Sequence, residues 1–276
     1  MPQAIVTTPP APTVDGPGGW RRREHRGVTI HPSAAGFDRS APDYERGRPT
    51  YPGEAVGWLV EALRISPGTA VVDLAAGTGK LTRLLVPSGA TVVAVEPVAG
   101  MREQLRSVVP GVEVLDGRAE AIPLGGGSAD AVTVAQAFHW FRGAEALAEI
   151  HRVLRAGGRL GLIWNRRDLD QPVQAEIHEV INRHRGETPA HLSGAWRDAF
   201  RATSLFGPLT DAHFFLEQVL DADGLVARGV STSFIARLPE EERGEVEAGL
   251  RAIALRHGEP VTLRYVTDCY WCEASS

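Results

Sequence analysis

The chain has 276 residues, of which 43% are hydrophobic, and carries a formal net charge of −5. This composition is typical of a globular protein with one large domain, or one domain and a cap. The acidic balance gives no bulk attraction for nucleic acid or an anionic membrane, and no apolar run approaches the roughly 20 residues of a transmembrane helix. Since no apolar secretory signal is seen and only two cysteines occur, we expect a cytoplasmic location.

Two parts with different compositions precede the first predicted helix. Residues 1–30 are rich in Pro, Gly and Thr, lack periodicity and are predicted to form a disordered tail. Residues 31–52 interleave aromatic and cationic side chains, among them Tyr44, Arg48 and Tyr51. This segment could fold over a ligand as a lid, or it could form a surface helix that docks on the domain edge.

A regular alternation of helix and strand patterns begins at residue 53. An amphipathic helix is predicted over 53–65, and a buried strand, VVDL, follows it. Further strands are predicted at TVVAVEP, VEVLDG, DAVTV and RLGLIWN, with helices between them, the last of which covers 143–155. This spacing predicts an α/β fold with a parallel, doubly wound, Rossmann-like sheet.

The alternation ends after Asn165. Further helices are predicted near Asp221 and over 172–185, 193–202 and 239–257. Two late strands, DAHFFLEQVLD and VTLRYVTDCYWCE, predict an antiparallel hairpin at one edge, and so a sheet of seven mostly parallel strands whose last strand is antiparallel. Residues 166–210 would then be a helical insertion that caps the site, within one domain that spans 53–276.

The two cysteines, Cys269 and Cys272, lie in the last predicted strand. Residues three apart on a strand point to opposite faces, and no second pair of ligands accompanies them. We therefore interpret both as structural and predict no metal site.

The stretch VVDLAAGTGK, residues 71–80, joins the first strand to the helix predicted to begin at its turn. Gly77 and Gly79 allow backbone to approach a ligand, and the helix start would offer free N–H groups. Glu96 lies 23 residues after Asp73, where an acid can accept hydrogen bonds from both ribose hydroxyls of an adenosine ligand. The spacing fits neither G-x-G-x-x-G nor a P-loop, and Asp73 before the glycines suits a ligand with an ammonium or sulfonium charge.

At these residues the sequence resembles the class I S-adenosylmethionine-dependent methyltransferases. The matching stretches occur in the order and spacing of that family: VVDLAAGTGK, VVAVEP, GRAEAIPL, DAVTVAQAFHWF and HRVLRAGGRLGLIWNRRD. AQAFHWF and YERGRPTYP are further similar to the methyltransferase type 11 branch that includes trans-aconitate methyltransferase-like proteins. The resemblance implies S-adenosylmethionine as cofactor and a small molecule as partner, with no nucleic acid or membrane partner; the oligomeric state, monomer or homodimer, stays open.

The resemblance also implies which residues bind the cofactor. They are Tyr44, Arg48, Asp73, Ala75, Gly77, Glu96, Pro97, Met101, Ala119, Glu120, Ala135 and Gln136. Asp73 could instead cap the following helix. Ala75 replaces the usual first glycine and is compatible with the turn if its φ is negative. Arg118 stands where many relatives carry Asp, so adenine recognition is expected from Ala119 and Glu120.

A substrate pocket is predicted from residues near the ends of the fourth and fifth strands and the lid. They are Tyr51, His139, Trp140, Trp164 and Arg166. His139 could be a general base, with Tyr44 as a second catalytic candidate, or it could be a helix-start histidine packed on Trp140. Arg166 and Arg167 would suit an acidic substrate, yet could equally be rim charges, and His213 is a further candidate.

These observations predict methyl transfer from S-adenosylmethionine to a small molecule, with acidic molecules and natural-product intermediates as candidate acceptors. Two alternatives stay open. The cofactor could itself be the substrate, cyclised or cleaved with release of methylthioadenosine, or the scaffold could be a non-catalytic binding module.

Overall fold

The computed structural model describes residues 13–15, 20–23 and 47–275. Most of the predicted tail and lid, including Tyr44, lies outside the described residues. Within the tail, Thr13–Asp15 pairs antiparallel with Arg21–Arg23, and Trp20 is buried in the core. None of the described helices is both long and apolar enough to cross a membrane.

Seven strands form one mixed sheet, in the spatial order β3-β2-β1-β4-β5-β7-β6. β1 to β5 are parallel, and β7 runs antiparallel to both of its neighbours, which confirms the predicted doubly wound sheet and its antiparallel last strand. The strands are β1 (Ala70–Leu74), β2 (Thr91–Val95), β3 (Glu113–Leu115), β4 (Ala129–Ala135), β5 (Leu154–Arg167), β6 (Thr210–Leu220) and β7 (Val261–Glu273).

Eight α-helices accompany the sheet within the described part of the chain. They are α1 (Gly53–Ala62), α2 (Thr82–Leu85), α3 (Ala99–Val108), α4 (Gly143–Val153), α5 (Pro172–Asn182), α6 (Arg197–Arg201), α7 (Ala222–Val230) and α8 (Glu240–His257). Asp221 caps α7, because its carboxylate accepts a hydrogen bond from the N–H of Gly224 at 2.7 Å.

One helix differs from its prediction. The helix after the glycine turn begins at Thr82, spans four residues and continues as a short 3-10 turn, Val86–Ser88. Gly77 and Gly79 have φ of +58° and +84°, which a right-handed helix cannot include. The turn is therefore a separate loop, and no helix start lies at the glycines themselves.

Alternation along each strand divides the core between the two faces of the sheet. The face that α4 covers contains Ile150, Leu160 and Cys272, whereas the face that α1 covers contains Leu59, Ile163 and Cys269. The two cysteines thus lie on opposite faces, as predicted, and burial raises the pKa of each thiol to about 12. Unionised, buried thiols have the properties of structural residues.

A third apolar cluster lies at the far end of the sheet, on the α1 face. Helices α5, α7 and α8 pack there against the first half of β7, with Tyr265 almost fully buried among them. This cluster forms a floor for the charged residues at the end of β5.

Candidate active site

Asp73 joins three elements at the carboxyl end of β1. Its carboxylate is fully buried and accepts hydrogen bonds from the hydroxyl groups of Thr82, at 2.5 Å, and Thr133, at 3.1 Å. Burial raises the pKa of Asp73 to about 6, although these two hydrogen bonds oppose the rise. Asp73 is not the N-cap of α2, which begins after Leu81 without a side-chain cap; its two hydrogen bonds instead connect the end of β1 to Thr82 of α2 and to Thr133 of β4.

Two residues without the freedom of glycine adopt the left-handed conformation at adjacent strand ends. Ala75 follows β1 with φ of +57°, and Gln136 follows β4 with φ of +58°. The condition under which Ala75 was expected to suit the turn, a negative φ, is therefore not met. Such a conformation costs about 1–2 kcal/mol for a residue with a Cβ, and strain of this kind concentrates at functional sites.

Glu96 lies beside the glycine turn, at the end of β2. Its carboxylate accepts the N–H groups of Gly77 and Val98, each at 2.9 Å, and the residue is 5% exposed. Burial raises the pKa of Glu96 to about 7, with both N–H groups and Arg102 acting in the opposite direction. A Cβ on Gly77 would meet no atom within 4 Å, so the turn presents an open side next to this carboxylate.

The other predicted cofactor residues occupy several positions around this edge. Pro97 precedes α3, whereas Met101 lies in its first turn and is buried. Ala119 is buried, whereas the carboxylate of Glu120 accepts the N–H of Arg142 at 2.9 Å. The carboxyl ends of β1, β2 and β4 bring six of the predicted residues to one edge of the sheet: Asp73, Ala75, Gly77, Glu96, Ala135 and Gln136.

Arg48, which is predicted to bind the cofactor, lines one cleft together with Lys80 and Arg83, which follow the glycine turn. Its guanidinium donates to the carbonyl of Ser231, just after α7, at 3.2 Å. The neighbouring Gly47 accepts a hydrogen bond from the Gln218 side chain on β6 at 3.2 Å. These contacts pack the segment after residue 46 against β6 and against the end of α7.

His139 lies in a 3-10 turn, Phe138–Trp140, just beyond β4. The indole N–H of Trp164 donates to Nδ1 of His139 at 3.2 Å. Burial, together with the charges of His191, Arg185 and Arg48, lowers the pKa of His139 to about 3. With Nδ1 engaged as an acceptor, a neutral ring carries its proton on Nε2. The geometry thus favours a packed histidine over a general base, since neither nitrogen is available to take a proton.

Trp164 and Tyr51 were predicted to line the substrate pocket, but both side chains are buried in the protein. Trp164 is 1% exposed and stacks on His191 with ring centroids 4.3 Å apart, and Tyr51 is buried among the core residues of the α1 face. Trp140 is partly exposed, with its ring centroid 5.1 Å from that of His139. Of the aromatic residues predicted for the pocket, Trp140 is therefore the one best placed to face a ligand.

Arg166 is paired with an acid. Its Nε donates to Oδ2 of Asp268 at 3.0 Å, and Asp268 also accepts hydrogen bonds from His191 at 3.0 Å and His213 at 2.8 Å. The charge of Arg166 is therefore compensated within the protein. His213 belongs to this network on the α4 face, not to the crevice near Glu96.

Two arginines lie on the opposite face of the sheet, and one of them, Arg167, was predicted to suit an acidic substrate. Arg167 follows Arg166 and so projects to the α1 face, where it is opposite Tyr265 in the register of β5 and β7. Arg228 donates from Nε to the hydroxyl of Tyr265 at 3.2 Å. The alternation of side chains along β5 could have indicated that Arg166 and Arg167 project to opposite faces. No sequence motif indicated a role for Arg228.

No metal centre accompanies these groups: the described residues contain no set of three or more His, Cys, Asp or Glu side chains placed to hold an ion.

Comparisons with known proteins agree with this geometry. A family model described as a methyltransferase domain matches residues 72–162. An uncharacterised methyltransferase-like protein of Schizosaccharomyces pombe is 37% identical over 243 residues, which cover 86% of this chain and 94% of that protein. An uncharacterised methyltransferase of Mycobacterium tuberculosis is 38% identical over 238 residues, which cover 84% of this chain and 93% of that protein. A solved structure from Anaeromyxobacter dehalogenans, a candidate type II methyltransferase, has a TM-score of 0.59 at 25% identity, covering 83% of this chain and 97% of that one.

Proposed function

Because this chain belongs to the class I S-adenosylmethionine-dependent methyltransferases, we propose that its methyl acceptor is a small molecule with an acidic group. The observation that carries the proposal is the position of Arg167, whose positive charge has no carboxylate partner among the described residues. Arg167 lies two residues after Asn165, whose carbonyl accepts a hydrogen bond from the Gln136 side chain at 3.5 Å. A net charge of −5 gives no attraction for nucleic acid as the acceptor.

Several residues at this edge fit an adenosyl cofactor. The open side of the Gly77 turn admits a ligand, and the adjacent Glu96 carboxylate has the chemistry to accept ribose hydroxyl groups. Met101 and Ala119 offer buried apolar surface for an adenine ring. Ala135 and Gln136 end β4 in the crevice, where ligands bind in doubly wound sheets.

The chemistry that we propose needs little from the protein beyond positioning. When bound, the cofactor supplies a methyl group that its sulfonium already makes electrophilic. The protein must align the acceptor with that group and exclude water. In this proposal His139 donates a hydrogen bond from Nε2 and removes no proton, so the acceptor atom must be nucleophilic at neutral pH without a base.

We also expect the insertion between β5 and β6 to cover the crevice. His191 belongs to the insertion, stacks on Trp164 and donates to Asp268 at 3.0 Å. These contacts attach the insertion to the end of β5, which supports its role as a cap.

Calorimetry with S-adenosylhomocysteine tests the cofactor site. Replacing Glu96 by Ala or by the isosteric Gln should weaken binding by at least about 100-fold, because two hydrogen bonds to a charged acceptor contribute about 1.5–3 kcal/mol each. Glu103→Ala is the matched control, since Glu103 lies on the exposed side of α3, the helix that follows Glu96. Unchanged affinity in both Glu96 variants would contradict the assignment.

Mass spectrometry separates methyl transfer from the alternatives. The full chain is incubated with S-adenosylmethionine, with and without a panel of small organic acids. We expect S-adenosylhomocysteine and a methylated acid only when an acceptor is present. Release of methylthioadenosine without any acceptor would instead show that the cofactor itself is the substrate, and no product under any condition would favour a binding module.

A further inference from the structure

Arg167 at the end of β5 and Arg228 on α7 each have a buried guanidinium nitrogen and no neutralising acid among the residues that the structure describes. Nη2 of Arg167 and Nη1 of Arg228 are inaccessible to solvent and form no hydrogen bond, and Arg228 as a whole is 6% exposed. Within the part of the chain that the structure describes, neither residue forms an ion pair with a carboxylate. A buried charge without a partner costs several kcal/mol, so a purely structural reason for retaining both arginines is lacking.

The surrounding backbone holds these two residues in place. Tyr265 lies opposite Arg167 on β7 and accepts a hydrogen bond from Arg228 at 3.2 Å, while the apolar cluster of α5, α7 and α8 lies beneath it. The segment above is packed closely as well, because a Cβ on Gly47 would come within 2.9 Å of the backbone of Arg228. The hydrogen bond to Tyr265 thus orients the Arg228 side chain, and strand pairing fixes the backbone of Arg167 beside it.

Other cations add to the positive field. Arg185 lies with its guanidinium 5.1 Å from the ring centroid of Phe234, and burial with the charges of Arg167 and Arg185 lowers the pKa of His178. Burial and the charges of Arg228, Arg48 and Arg185 lower the pKa of Arg167 to about 9, so it stays protonated at neutral pH.

A hydrogen bond connects this part of β5 to the crevice in which methyl transfer is proposed, because the carbonyl of Asn165, two residues before Arg167, accepts from the Gln136 side chain at 3.5 Å. The charges of Arg185 and Arg48 contribute to the low pKa of His139, at the end of β4. Arg48 also lines a cleft of about 440 Å³ between the segment 48–50 and β6. That volume is in the range of small-molecule sites, and Lys80 and Arg83, which follow the glycine turn, line the same cleft.

We propose that Arg167 and Arg228, with Arg185 and Arg48 around them, form an oxyanion-binding site that holds a carboxylate or phosphate group of the methyl acceptor. The planar fork of a guanidinium matches both groups, and the unpartnered N–H groups would then gain acceptors. The inference rests on the proposed function, since it assigns to these residues the acidic group of that acceptor.

Calorimetry on the full chain, loaded with S-adenosylhomocysteine, tests the site with three probes. Citrate represents carboxylates, inorganic phosphate represents phosphates, and triethyl citrate is the uncharged control. We expect citrate or phosphate to bind and the neutral ester not to bind. Arg167→Met and Arg228→Met should each weaken the binding at least about 30-fold, and Arg167→Lys less, because it keeps the charge but loses the fork. Arg251→Met is the matched control, since Arg251 forms an exposed ion pair with Asp223.

The melting temperature without any anion provides a second readout. Arg167→Met should raise it, because an apolar side chain replaces an uncompensated buried charge. Binding of citrate alone identifies a carboxylate acceptor, and binding of phosphate alone a phosphorylated one; both support the site.

Equal binding by wild type and Arg167→Met, or a lower melting temperature of that variant, would overturn the inference. Wild-type protein that binds S-adenosylhomocysteine but neither anion would also overturn it, while leaving the proposed function intact. Failure to bind S-adenosylhomocysteine would count against the proposed function itself.

Discussion

Trp164 donates its indole N–H to Nδ1 of His139 at 3.2 Å, and this single contact decides which proton chemistry the histidine can perform. The donor is fixed, because Trp164 is 1% exposed and stacked on His191. The acceptor nitrogen of His139 is thereby occupied, and its other nitrogen carries the ring proton. A core tryptophan thus sets the tautomer of a residue at the crevice.

His139→Asn should therefore retain activity within about tenfold of wild type. An asparagine amide oxygen can accept the hydrogen bond from Trp164, and no base is removed. A general base contributes about 100-fold to 10,000-fold, so the kcat of the variant separates the two roles. A loss of 100-fold or more, with unchanged affinity for S-adenosylhomocysteine, would show that His139 is a base.

Ala75→Gly should stabilise the protein. Relief of the left-handed conformation returns about 1–2 kcal/mol, whereas the extra freedom of glycine in the unfolded chain costs about 0.4–1 kcal/mol. The next residue, Ala76, does not have a positive φ, so Ala76→Gly incurs only the cost. In urea unfolding we expect the free energy of unfolding of Ala75→Gly to be about 1–2 kcal/mol higher than that of Ala76→Gly. Equal free energies of unfolding would mean that Ala75 is not strained.

The parts of this fold that follow from local pattern were predictable. Runs of β-branched residues between glycine and proline turns predicted β1 to β5. The spacing between Asp73 and Glu96 predicted an acid beside the glycine turn. The two cysteines could be assigned to opposite faces because alternation along a strand is a local rule.

The parts that depend on distant segments were not predictable. The positive φ of Ala75 has no local signal in the sequence, and the burial of Trp164 depends on the insertion that brings His191 onto it. Likewise, Arg166 and Arg167 look equivalent in sequence. Only the positions of Asp268 and Arg228 show that one charge is compensated and the other is not.

The affinity for S-adenosylhomocysteine should rise with pH around neutrality. Ribose hydroxyl groups donate to an ionised carboxylate, and the pKa of Glu96 is raised to about 7. Protonation below that pH removes an acceptor, so affinity should fall by up to about tenfold for each pH unit below 7. Calorimetry from pH 5.5 to 8.5 measures this dependence. Affinity that does not change over this range would show that Glu96 is ionised throughout or takes no part.

The same carboxylate should make the stability of the ligand-free protein depend on pH. Its folded pKa lies above the unfolded value of 4.5, so its contribution is fully present below pH 4.5 and is lost as pH rises through about 7. In Glu96→Gln this loss is absent, and the fall in unfolding free energy from pH 5 to pH 8 should be smaller by on the order of 1–3 kcal/mol. Glu103→Gln, on the exposed side of α3, should retain the wild-type slope.

Asp268 should stabilise the fold through its three partners. Burial acts to raise its pKa, but the hydrogen bond from His191, the charge of Arg166 and the hydrogen bond from His213 outweigh burial and lower it. Asp268→Asn leaves Arg166 without its counter-charge, and we expect a loss of about 3 kcal/mol at pH 7 in urea unfolding.

The pH dependence of that loss checks its electrostatic origin. A lowered pKa means that the stabilisation is present above the unfolded value of 3.8 and disappears as pH falls through the lower folded value. The difference between wild type and Asp268→Asn should therefore shrink below about pH 4. His213→Gln is the control, because its side chain is half exposed and it removes one hydrogen bond while leaving the charge pair. A difference that stays constant down to pH 3 would assign the loss to packing and not to the ion pair.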